Sequence, residues 1–362
     1  MTSTLHPYCK WFLLAIFFIF YNCDSSSPTL PTPVEEEMPA VPPTSTPSTF
    51  EKSSIAFYNV ENLFDTIDDP DNASDNEFLP TAAKAWTIDR YDHKLNNIGK
   101  VIQGMNYPIL LGLAEVENRK VLEDLVNSER LVNQSYQIIH EESPDHRGID
   151  VALLFQTDQF EVEDWTTHSV QIDDPNINNF TTRDILRVKG LLRNTPTYLF
   201  INHWPSRSGG TEQTEFRRIT VATRLNELVE STMTNDPSAH IIIMGDFNDE
   251  PTNKSLLDVL GAQTDSMNLA SSRLYNLTGP LDAIGEGTFN FQGNWQMLDQ
   301  IIISSNLLAS NTAFRIGNFQ VYKAEDLFFT HPEYGLSPDR TYGGDNYFGG
   351  FSDHLPVFVE IE

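Results

Sequence analysis

Cysteine is nearly absent from this chain of 362 residues: it has two, Cys9 and Cys23, and both precede residue 24. The rest of the chain therefore contains neither a disulfide nor a thiolate metal site. Any metal held there must be bound by oxygen and imidazole, and where carboxylates dominate we expect a hard cation such as magnesium, manganese or calcium.

Basic side chains are also scarce. Lysine and arginine number 23 against 51 aspartate and glutamate residues, which gives a formal net charge of -28. Proteins that wrap tightly around duplex nucleic acid need a basic surface to neutralise phosphates, so this composition argues against that class. It still permits an acidic hydrolase whose cleft carries a bound cation and a few arginines.

Long apolar runs are rare, and the one near the start of the chain is short. Residues 11–21 follow Lys10 without a polar interruption, which is roughly half of the about 20 residues that a membrane-spanning helix needs. We therefore interpret residues 1–23 as a secretory signal peptide and expect the protein to be exported.

The end of that segment resembles the leader of a bacterial lipoprotein. Its apolar run stops at Cys23, and an aspartate and three serines follow. The resemblance implies cleavage before Cys23, acylation of that cysteine and an anchor in the membrane of the cell envelope. Phe20 and Asn22 depart from the pattern, because such leaders usually have a leucine-like and a small residue there.

Residues 24–52 are rich in proline, serine and threonine. Such a composition buries no core, so we predict a disordered linker. The remaining residues, 53–362, number about three hundred, enough for one large domain or two small ones. We favour one catalytic domain and a monomer.

Short apolar runs alternate with helical spacing throughout residues 53–362. The predicted strands cover residues 54–60, 108–114, 151–155, 198–202, 240–244, 300–303 and 355–361, and the predicted helices cover 91–105, 118–131 and 214–233. No repeat period is present, so the pattern indicates a mixed α/β (α+β) fold with substantial sheet content. An acidic stretch at residues 68–77 lacks the glycine of a calcium loop and is interpreted as a solvated surface loop.

Polar side chains recur where these strands end. The strands deliver Asn59, Glu115, His203, Asp246 with Asn248, and Asp353 with His354, while Asp299 lies just before its strand. Each has an ordinary explanation by itself, such as a turn or the start of a helix. Together they are harder to explain, because placing carboxylates repeatedly at the ends of buried strands costs several kcal/mol unless a partner or metal compensates them.

In their order, these motifs resemble the endonuclease/exonuclease/phosphatase superfamily, which includes pancreatic deoxyribonuclease, the abasic-site endonucleases and the sphingomyelinases. The motifs are the strand ending in Asn59, the segments 112–115, 202–205 and 245–248, Asp299 and the segment 352–357. The resemblance spans residues 54–362. It implies a four-layer sandwich of two mixed central sheets flanked by helices, with a site at one edge.

The same resemblance implies a phosphoester hydrolase that uses a divalent metal, for which we expect Mg²⁺, with Mn²⁺ or Ca²⁺ as alternatives. Glu115 would be the main metal ligand, and Asn59 and Asp353 would complete the shell directly or through water. The implied catalytic residues are His203 as acid for the leaving group, Asp246, Asn248, Asp299 and His354. Whether Asp246 or His354 is the base stays open.

Two arginines are candidates for binding phosphate oxygens: Arg147, which precedes a strand, and Arg207, in a serine and glycine-rich segment. Either is equally explained as a surface residue. Tyr342, Tyr347, Phe348 and Phe351 lie in the glycine-rich approach to the last motif. They either stack on unpaired bases or on a headgroup, or pack an irregular loop.

The segment 59–65 looks like the opening of bacterial extracellular nucleases, which favours an exported nuclease that cleaves DNA or RNA. One alternative is a phospholipid or small-molecule phosphoesterase of the same fold. A sphingomyelinase-like enzyme should display an exposed apolar hairpin, and the sequence shows no clear one. The other alternative, a surface binding protein without catalysis, is disfavoured because Glu115, Asp246, Asp299 and His354 are all present.

Overall fold

The computed structural model describes residues 53–70, 75–265, 273–308 and 314–362. The predicted signal peptide and linker, residues 1–52, lie outside the described residues. Within the described ranges, none of the helices combines the length and the apolar character needed to cross a membrane.

Strands account for most of the regular structure. In chain order they are β1 (Ser53–Leu63), β2 (Leu110–Val116), β3 (Tyr136–His140), β4 (Asp150–Gln156), β5 (Phe160–His168), β6 (Ile185–Leu192), β7 (Thr195–His203), β8 (His240–Asp246), β9 (Ala262–Gln263), β10 (Leu274–Asn276), β11 (Phe289–Phe291), β12 (Asn294–Gln296), β13 (Asp299–Ser304), β14 (Ile316–Val321), β15 (Phe328–His331), β16 (Gly335–Pro338), β17 (Tyr342–Gly343), β18 (Asn346–Tyr347) and β19 (Val357–Ile361).

The helices are fewer: α1 (Ile88–Gly104), α2 (Arg119–Val126), α3 (Thr211–Asn235) and the short α4 (Gly279–Asp282). One-turn 3₁₀ segments cover Asp75–Phe78, Ser305–Leu308 and Glu325–Leu327, and a π-helical turn covers Ser255–Leu260. The start of α2 is fixed by Asn118, whose side chain accepts a hydrogen bond from the N–H of Val121 at 3.0 Å.

The strands form two large mixed sheets. The first has the order β14-β19-β1-β2-β4-β3, and its β1–β2 pair is parallel. The second has the order β5-β6-β7-β8-β13-β10-β9, and its β7–β8 and β9–β10 pairs are parallel. Three small hairpins, β11–β12, β15–β16 and β17–β18, stand apart from both sheets.

Three apolar clusters show how the layers stack. Phe57 and Leu110 of the first sheet share one cluster with Leu199 and Met244 of the second, so the two sheets pack face to face. Gly112 lies at this contact, where a Cβ atom would approach Met244 Sδ to 2.7 Å.

The outer face of each sheet is covered by helices. Residues of α1 and α2 cluster with the outward side chains of the first sheet, and residues of α3 cluster with those of the second. The predicted four-layer sandwich of two mixed sheets flanked by helices is therefore confirmed, and the described residues from Ser53 onward belong to one compact unit.

The predicted elements match the observed ones with three corrections. The helix predicted over residues 118–131 ends at Val126, because Asn127 and Ser128 favour a turn over continued helix. The last strand begins at Val357 rather than at residue 355, since Pro356 has no N–H to pair. Part of the acidic stretch is not a solvated loop, because Asp75 is buried and accepts a hydrogen bond from the N–H of Asp69 at 2.6 Å.

Candidate active site

The two sheets deliver polar side chains to a common edge. The carboxyl ends of β1 and β2 lie together because these strands are parallel, and the same holds for β7 and β8. Asn59 in β1 donates a hydrogen bond to Asp246 Oδ2 at the end of β8 over 3.0 Å, which joins the two pairs. The antiparallel strands β13 and β19 begin at this edge, so Asp299 pairs with Asp246, and His354 lies just before β19.

Irregular backbone conformations in β1 and β2 orient the side chain of Glu115. The register between these strands shifts after Asn59, and Glu61, Asn62 and Glu115 have φ angles of 52°, 50° and 64°. Such left-handed conformations are unfavourable for residues other than glycine and are typical of bulges beside functional sites. The N–H of Asn62 donates to Glu115 Oε2 at 3.0 Å and holds this carboxylate in place.

His354 and Asp299 form a buried pair. His354 Nδ1 lies 2.7 Å from Asp299 Oδ2, and its Nε2 lies 3.8 Å from Asp246 Oδ2. Burial would lower the pKa of His354, but the carboxylates of Asp299 and Asp246 raise it well above its usual value, so the imidazole is protonated at pH 7. Burial raises the pKa of Asp246 to about 7 although His354 opposes the shift.

His203 faces Asp246 from the other side. Its Nε2 lies 3.6 Å from Asp246 Oδ2 and 3.9 Å from Glu115 Oε1. Burial lowers the pKa of His203 well below its usual value, and the nearby cations Arg183 and Arg147 lower it further. The imidazole is therefore neutral at pH 7 and can donate a hydrogen bond, but it holds no second proton to release.

Arg147 reaches the site through a buried network. Its Nη1 lies 3.9 Å from Glu115 Oε1, and its Nε lies 3.5 Å from Asp145 Oδ1. Asp145 also binds Arg183 Nη1 at 2.9 Å, and Arg183 Nε donates to the carbonyl oxygen of His203 at 3.1 Å. Asp145 therefore positions Arg147, while Arg183 holds the backbone at the end of β7.

Asn248 and Arg207 both line the cleft, yet their own neighbours occupy much of their hydrogen-bonding capacity. Asn248 donates its N–H to Asp246 Oδ1 at 2.9 Å and its Nδ2 to the carbonyl oxygen of Trp204 at 3.0 Å. Arg207 Nε donates to the carbonyl oxygen of Asn248 at 2.7 Å, and its Nη2 lies 3.3 Å from Asp249 Oδ1. Arg207 thus supports the loop after β8 in addition to any contact with substrate.

Asp353 is paired with a cation from the neighbouring loop. Arg340 Nη2 donates to Asp353 Oδ2 at 2.6 Å, and Arg340 Nε lies 3.8 Å from Glu61 Oε1. Glu61 is itself buried and accepts hydrogen bonds from the N–H groups of Thr341 and Tyr342. This network links the carboxylate of Asp353 to the bulge of β1.

An open cleft of about 550 Å³ lies above these side chains. It is lined by eight of the predicted site residues together with part of the β11–β12 hairpin. The eight are Glu115, Arg147, His203, Arg207, Asp246, Asn248, Asp353 and His354, and the hairpin contributes Phe289 and Phe291. Asn59 and Asp299 lie beneath the lining and contact it through Asp246 and His354.

The side chains predicted to hold a metal fit a hard divalent cation. Within the described part of the chain, Glu115 Oε1 accepts no hydrogen bond, and Arg147 Nη1 and His203 Nε2 each lie 3.9 Å from it, so this oxygen is available to a ligand. Asn59 Oδ1 accepts the N–H of Glu61 at 3.0 Å and retains a second lone pair. An oxygen donor set without sulfur is the type that magnesium, manganese and calcium prefer.

Among the described residues, two groups of acidic and histidine side chains bring potential ligand atoms within 4.8 Å of one another. One is Asp246, Asp299 and His354 in the cleft, and the other is His140, Glu142 and Asp150. In the first, the hydrogen bond between His354 and Asp299 already uses one imidazole nitrogen.

Sequence reasoning missed Asp145, Arg183, Glu61 and Arg340. Asp145 and Arg183 are buried and pair with each other, and Glu61 accepts a hydrogen bond from the N–H of Thr341. Each therefore depends on a partner far along the chain. Their signal in the sequence was weak: charged residues beside predicted strands, without spacing that specifies a partner.

The four aromatic residues of the glycine-rich segment before Asp353 have two different roles. Tyr342 and Phe351 are buried, and Tyr347 packs against Tyr342 and beneath the guanidinium of Arg90, which is 4.2 Å from its ring centroid. Phe348 alone among the four is largely exposed. Three of the four therefore pack the loop, as one of the two interpretations held.

Comparison with protein families gives one match that covers most of the chain. The family described as the Endonuclease/Exonuclease/phosphatase family matches residues 54–362. A search of curated protein sequences gave no match.

Solved structures resemble the chain in fold. A mannosyl-6-phosphatase from Bacteroides thetaiotaomicron has a TM-score of 0.52 and 18% identity, and the match covers 86% of this chain and 99% of that chain. The human Nocturnin catalytic domain with bound sulfate has a TM-score of 0.50 and 17% identity over 86% and 94%. A D. rerio TDP2 complexed with a single-stranded DNA product has a TM-score of 0.50 and 13% identity over 86% and 99%.

Proposed function

The chain belongs to the endonuclease/exonuclease/phosphatase family, and from that premise we propose that it is a divalent-metal-dependent phosphodiester hydrolase, an exported nuclease that cleaves DNA or RNA. Members of the family hydrolyse phosphoester bonds and generally depend on a divalent metal. The observation that carries the proposal is the convergence of two imidazoles on Asp246 in one cleft, at 3.6 Å and 3.8 Å.

Asp246 is the base in this proposal. Its pKa of about 7 suits proton abstraction at neutral pH, whereas the protonated His354 has no free lone pair with which to accept a proton. The oxygen of a water molecule forms a bond to phosphorus while its proton passes to Asp246. The bond from phosphorus to the leaving oxygen then breaks.

The charge that develops on the phosphate is matched by fixed cations. His354 is held by Asp299 at 2.7 Å and presents its Nε2–H to the cleft, and Arg147 faces it from the side of Glu115. Glu115 and Asn59, with Asp353 direct or through water, would hold a divalent cation, for which we propose Mg²⁺, and this ion would neutralise charge on the nonbridging oxygens.

His203 serves the leaving oxygen. As a neutral imidazole it donates a hydrogen bond to that oxygen in the resting protonation state. An anionic phosphate bound beside it would raise its proton affinity, because an opposite charge favours the protonated form. A protonated His203 would then release a proton to the leaving group.

A nucleic acid substrate is supported by the local concentration of arginines in an otherwise acidic protein. Arg147 and Arg207 lie in the cleft lining, where their guanidinium groups offer positive charge to one phosphate. The resemblance in fold to a TDP2 that holds a DNA product agrees with this substrate. Export, and anchoring through a lipidated Cys23, rest on the leader sequence.

The experiment incubates the protein with plasmid DNA, RNA, sphingomyelin and a generic phosphomonoester, each with Mg²⁺ and with chelator. We expect nucleic acid cleavage that requires the metal. Cleavage of sphingomyelin or of the monoester alone would favour the other phosphoesterases of this fold. No hydrolysis of any substrate with metal present would contradict the proposal.

A further inference from the structure

A second groove of about 460 Å³ adjoins the candidate active site. The two share Phe289, Phe291 and Asp353, so a substrate bound in one extends into the other. Beyond these shared residues the groove is lined by Phe329, His331, Tyr334 and Phe348. It lies between the β11–β12 and β15–β16 hairpins and the glycine-rich loop.

Hydrogen bonds and ring contacts hold the groove in shape. His331 Nδ1 accepts the N–H groups of Glu333 and Tyr334 at 3.1 Å and 3.2 Å, and the rings of His331 and Tyr334 stack 4.6 Å apart at 11°. Asn290 Nδ2 donates to the carbonyl oxygen of Leu336 at 2.9 Å and ties the two hairpins together. The aromatic surface is therefore preorganised, which lowers the entropy cost of binding.

Two aromatic rings of the groove are largely exposed to solvent. Phe291 is 54% exposed and Phe348 is 59% exposed. Phe348 is nevertheless fixed, because its ring lies against Gly343 so closely that a Cβ atom there would approach Phe348 Cε2 to 2.6 Å. These rings present open π surface next to the cleft.

The groove offers little to a chain of phosphates. Among the described residues that line it, Arg340 is the one lysine or arginine, and its guanidinium is paired with Asp353 and lies near Glu61. Binding along a nucleic acid backbone requires repeated cations. The groove therefore suits the part of a nucleotide that is not phosphate.

Two of the polar side chains of the groove make hydrogen bonds within the protein. Asn290 uses its amide for Leu336 and its Oδ1 for the N–H of Gly293, and the hydroxyl of Ser337 donates to the carbonyl oxygen of Gly335. Sugar hydroxyls need free donors and acceptors. Five of the thirteen lining residues are phenylalanine or tyrosine, and their faces favour flat bases over a sugar.

The hairpins do carry exposed apolar residues, contrary to the expectation from sequence, since Phe291 and Leu336 are more than half exposed. Each turn carries a polar or charged residue, however: Gln292 and Gly293 form one turn, and Glu333 lies between Pro332 and Tyr334 in the other. A hairpin that inserts into a membrane needs apolar residues at its tip. The geometry therefore disfavours a lipid surface as the occupant.

We propose that this groove is a subsite for unpaired bases next to the scissile phosphate, so that the enzyme selects single-stranded over duplex nucleic acid. The inference rests on the proposed nuclease function. Bases in a duplex are stacked on one another and are unavailable to protein rings, whereas unpaired bases stack on aromatic side chains without regard to sequence. This accounts for how a protein of net charge -28 would hold its substrate.

The test measures binding without turnover. The full chain in EDTA is titrated with a fluorescein-labelled ten-nucleotide oligothymidine, with the same oligonucleotide in which the bases are removed, with a hairpin duplex and with phosphatidylcholine vesicles. We expect the base-containing single strand to bind at least about tenfold more tightly than the abasic one, given the usual contribution of one stacked base. Duplex and vesicles should bind more weakly still.

Variants locate the effect. Phe291→Ala with Phe348→Ala should weaken single-strand binding about tenfold or more and leave abasic binding unchanged, and Phe348→Leu, which keeps the apolar contact, should also weaken it. Trp165→Ala is the control, since Trp165 is also exposed but lies on β5 and lines neither groove nor cleft.

Equal affinity for base-containing and abasic strands would refute the proposed base subsite. It would also be refuted if the wild type binds vesicles and the double variant does not. Base-dependent binding by a wild type that cleaves no phosphodiester would support the subsite and contradict the proposed function. Cleavage without any dependence on bases would refute the subsite alone.

Discussion

Replacing Asp299 with asparagine should abolish most activity while preserving the shape of the site. The carboxylate lies 2.7 Å from His354 Nδ1 in a buried setting, where the attraction between opposite charges reaches at most about 6 kcal/mol at an effective dielectric constant of 20. The amide still accepts the hydrogen bond but no longer holds the imidazole in its cationic form. We expect kcat to fall by about 10² to 10⁴, which corresponds to about 3 to 5 kcal/mol and lies within that bound.

The protein contains a matched control for this change. His140 Nε2 lies 3.2 Å from Asp150 Oδ2, and both side chains are 2% exposed, but neither lines the cleft. Asp150→Asn removes a similar buried carboxylate, so both variants should lose stability in urea denaturation. Only Asp299→Asn should lose activity, and the alkaline limb of its pH–rate profile should move to lower pH because the pKa of His354 falls. Equal loss of activity in both variants would refute a catalytic role for the pair.

Three further predictions concern stability, each measured as the free energy of unfolding in urea. Asp145→Ala leaves Arg183 buried without its carboxylate and should cost about 3 to 5 kcal/mol, so an unchanged midpoint would contradict the positioning network. Burial raises the pKa of Glu117 to about 8, so the native state keeps a proton that the unfolded state releases above about pH 4.5, and the wild type loses stability as pH rises from 4.5 to 8. Glu117→Gln should therefore be more stable than the wild type at pH 8 by more than about 1 kcal/mol and equal to it near pH 4. Gly245→Ala would place a Cβ atom 2.4 Å from the carbonyl oxygen of Asn202 and should cost at least about 2 kcal/mol, whereas a cost near zero would show that the strands separate freely.

The parts of the fold that followed from sequence are those set by apolar runs. Each buried strand near the site was visible as such a run, and a polar residue near its end was therefore located, as with Asp246 at the end of β8 and Asn59 just before the bulge of β1. Outer strands such as β5 were missed, because half of their residues face solvent and their alternation is imperfect. The hairpins that line the second groove were missed because each strand has only three or four residues.

The conformation of the site was beyond sequence reasoning for a different reason. Glu115 points into the cleft because its backbone is left-handed at a bulge, and no residue preference predicts that for glutamate. Asp353 was expected to face a metal, and its pairing with Arg340 depends on how the loop that precedes Asp353 folds. The exposed aromatic surface lies on Phe291 and Phe348, whereas Tyr342 and Phe351, next to Phe348 in the predicted set, turn inward.

The most direct test of the central claim is the rate of hydrolysis of the p-nitrophenyl ester of thymidine 5′-monophosphate as Mg²⁺ is titrated, for the wild type and for Glu115→Gln. Glu115 Oε1 is an available carboxylate oxygen of the proposed ligand set, so the wild type should show saturable activation that chelator abolishes. Glu115→Gln should lose at least about 100-fold in rate, or need far more metal to reach it. Hydrolysis that persists in chelator, or a variant with the same metal dependence as the wild type, would contradict a metal-dependent phosphodiesterase centred on this cleft.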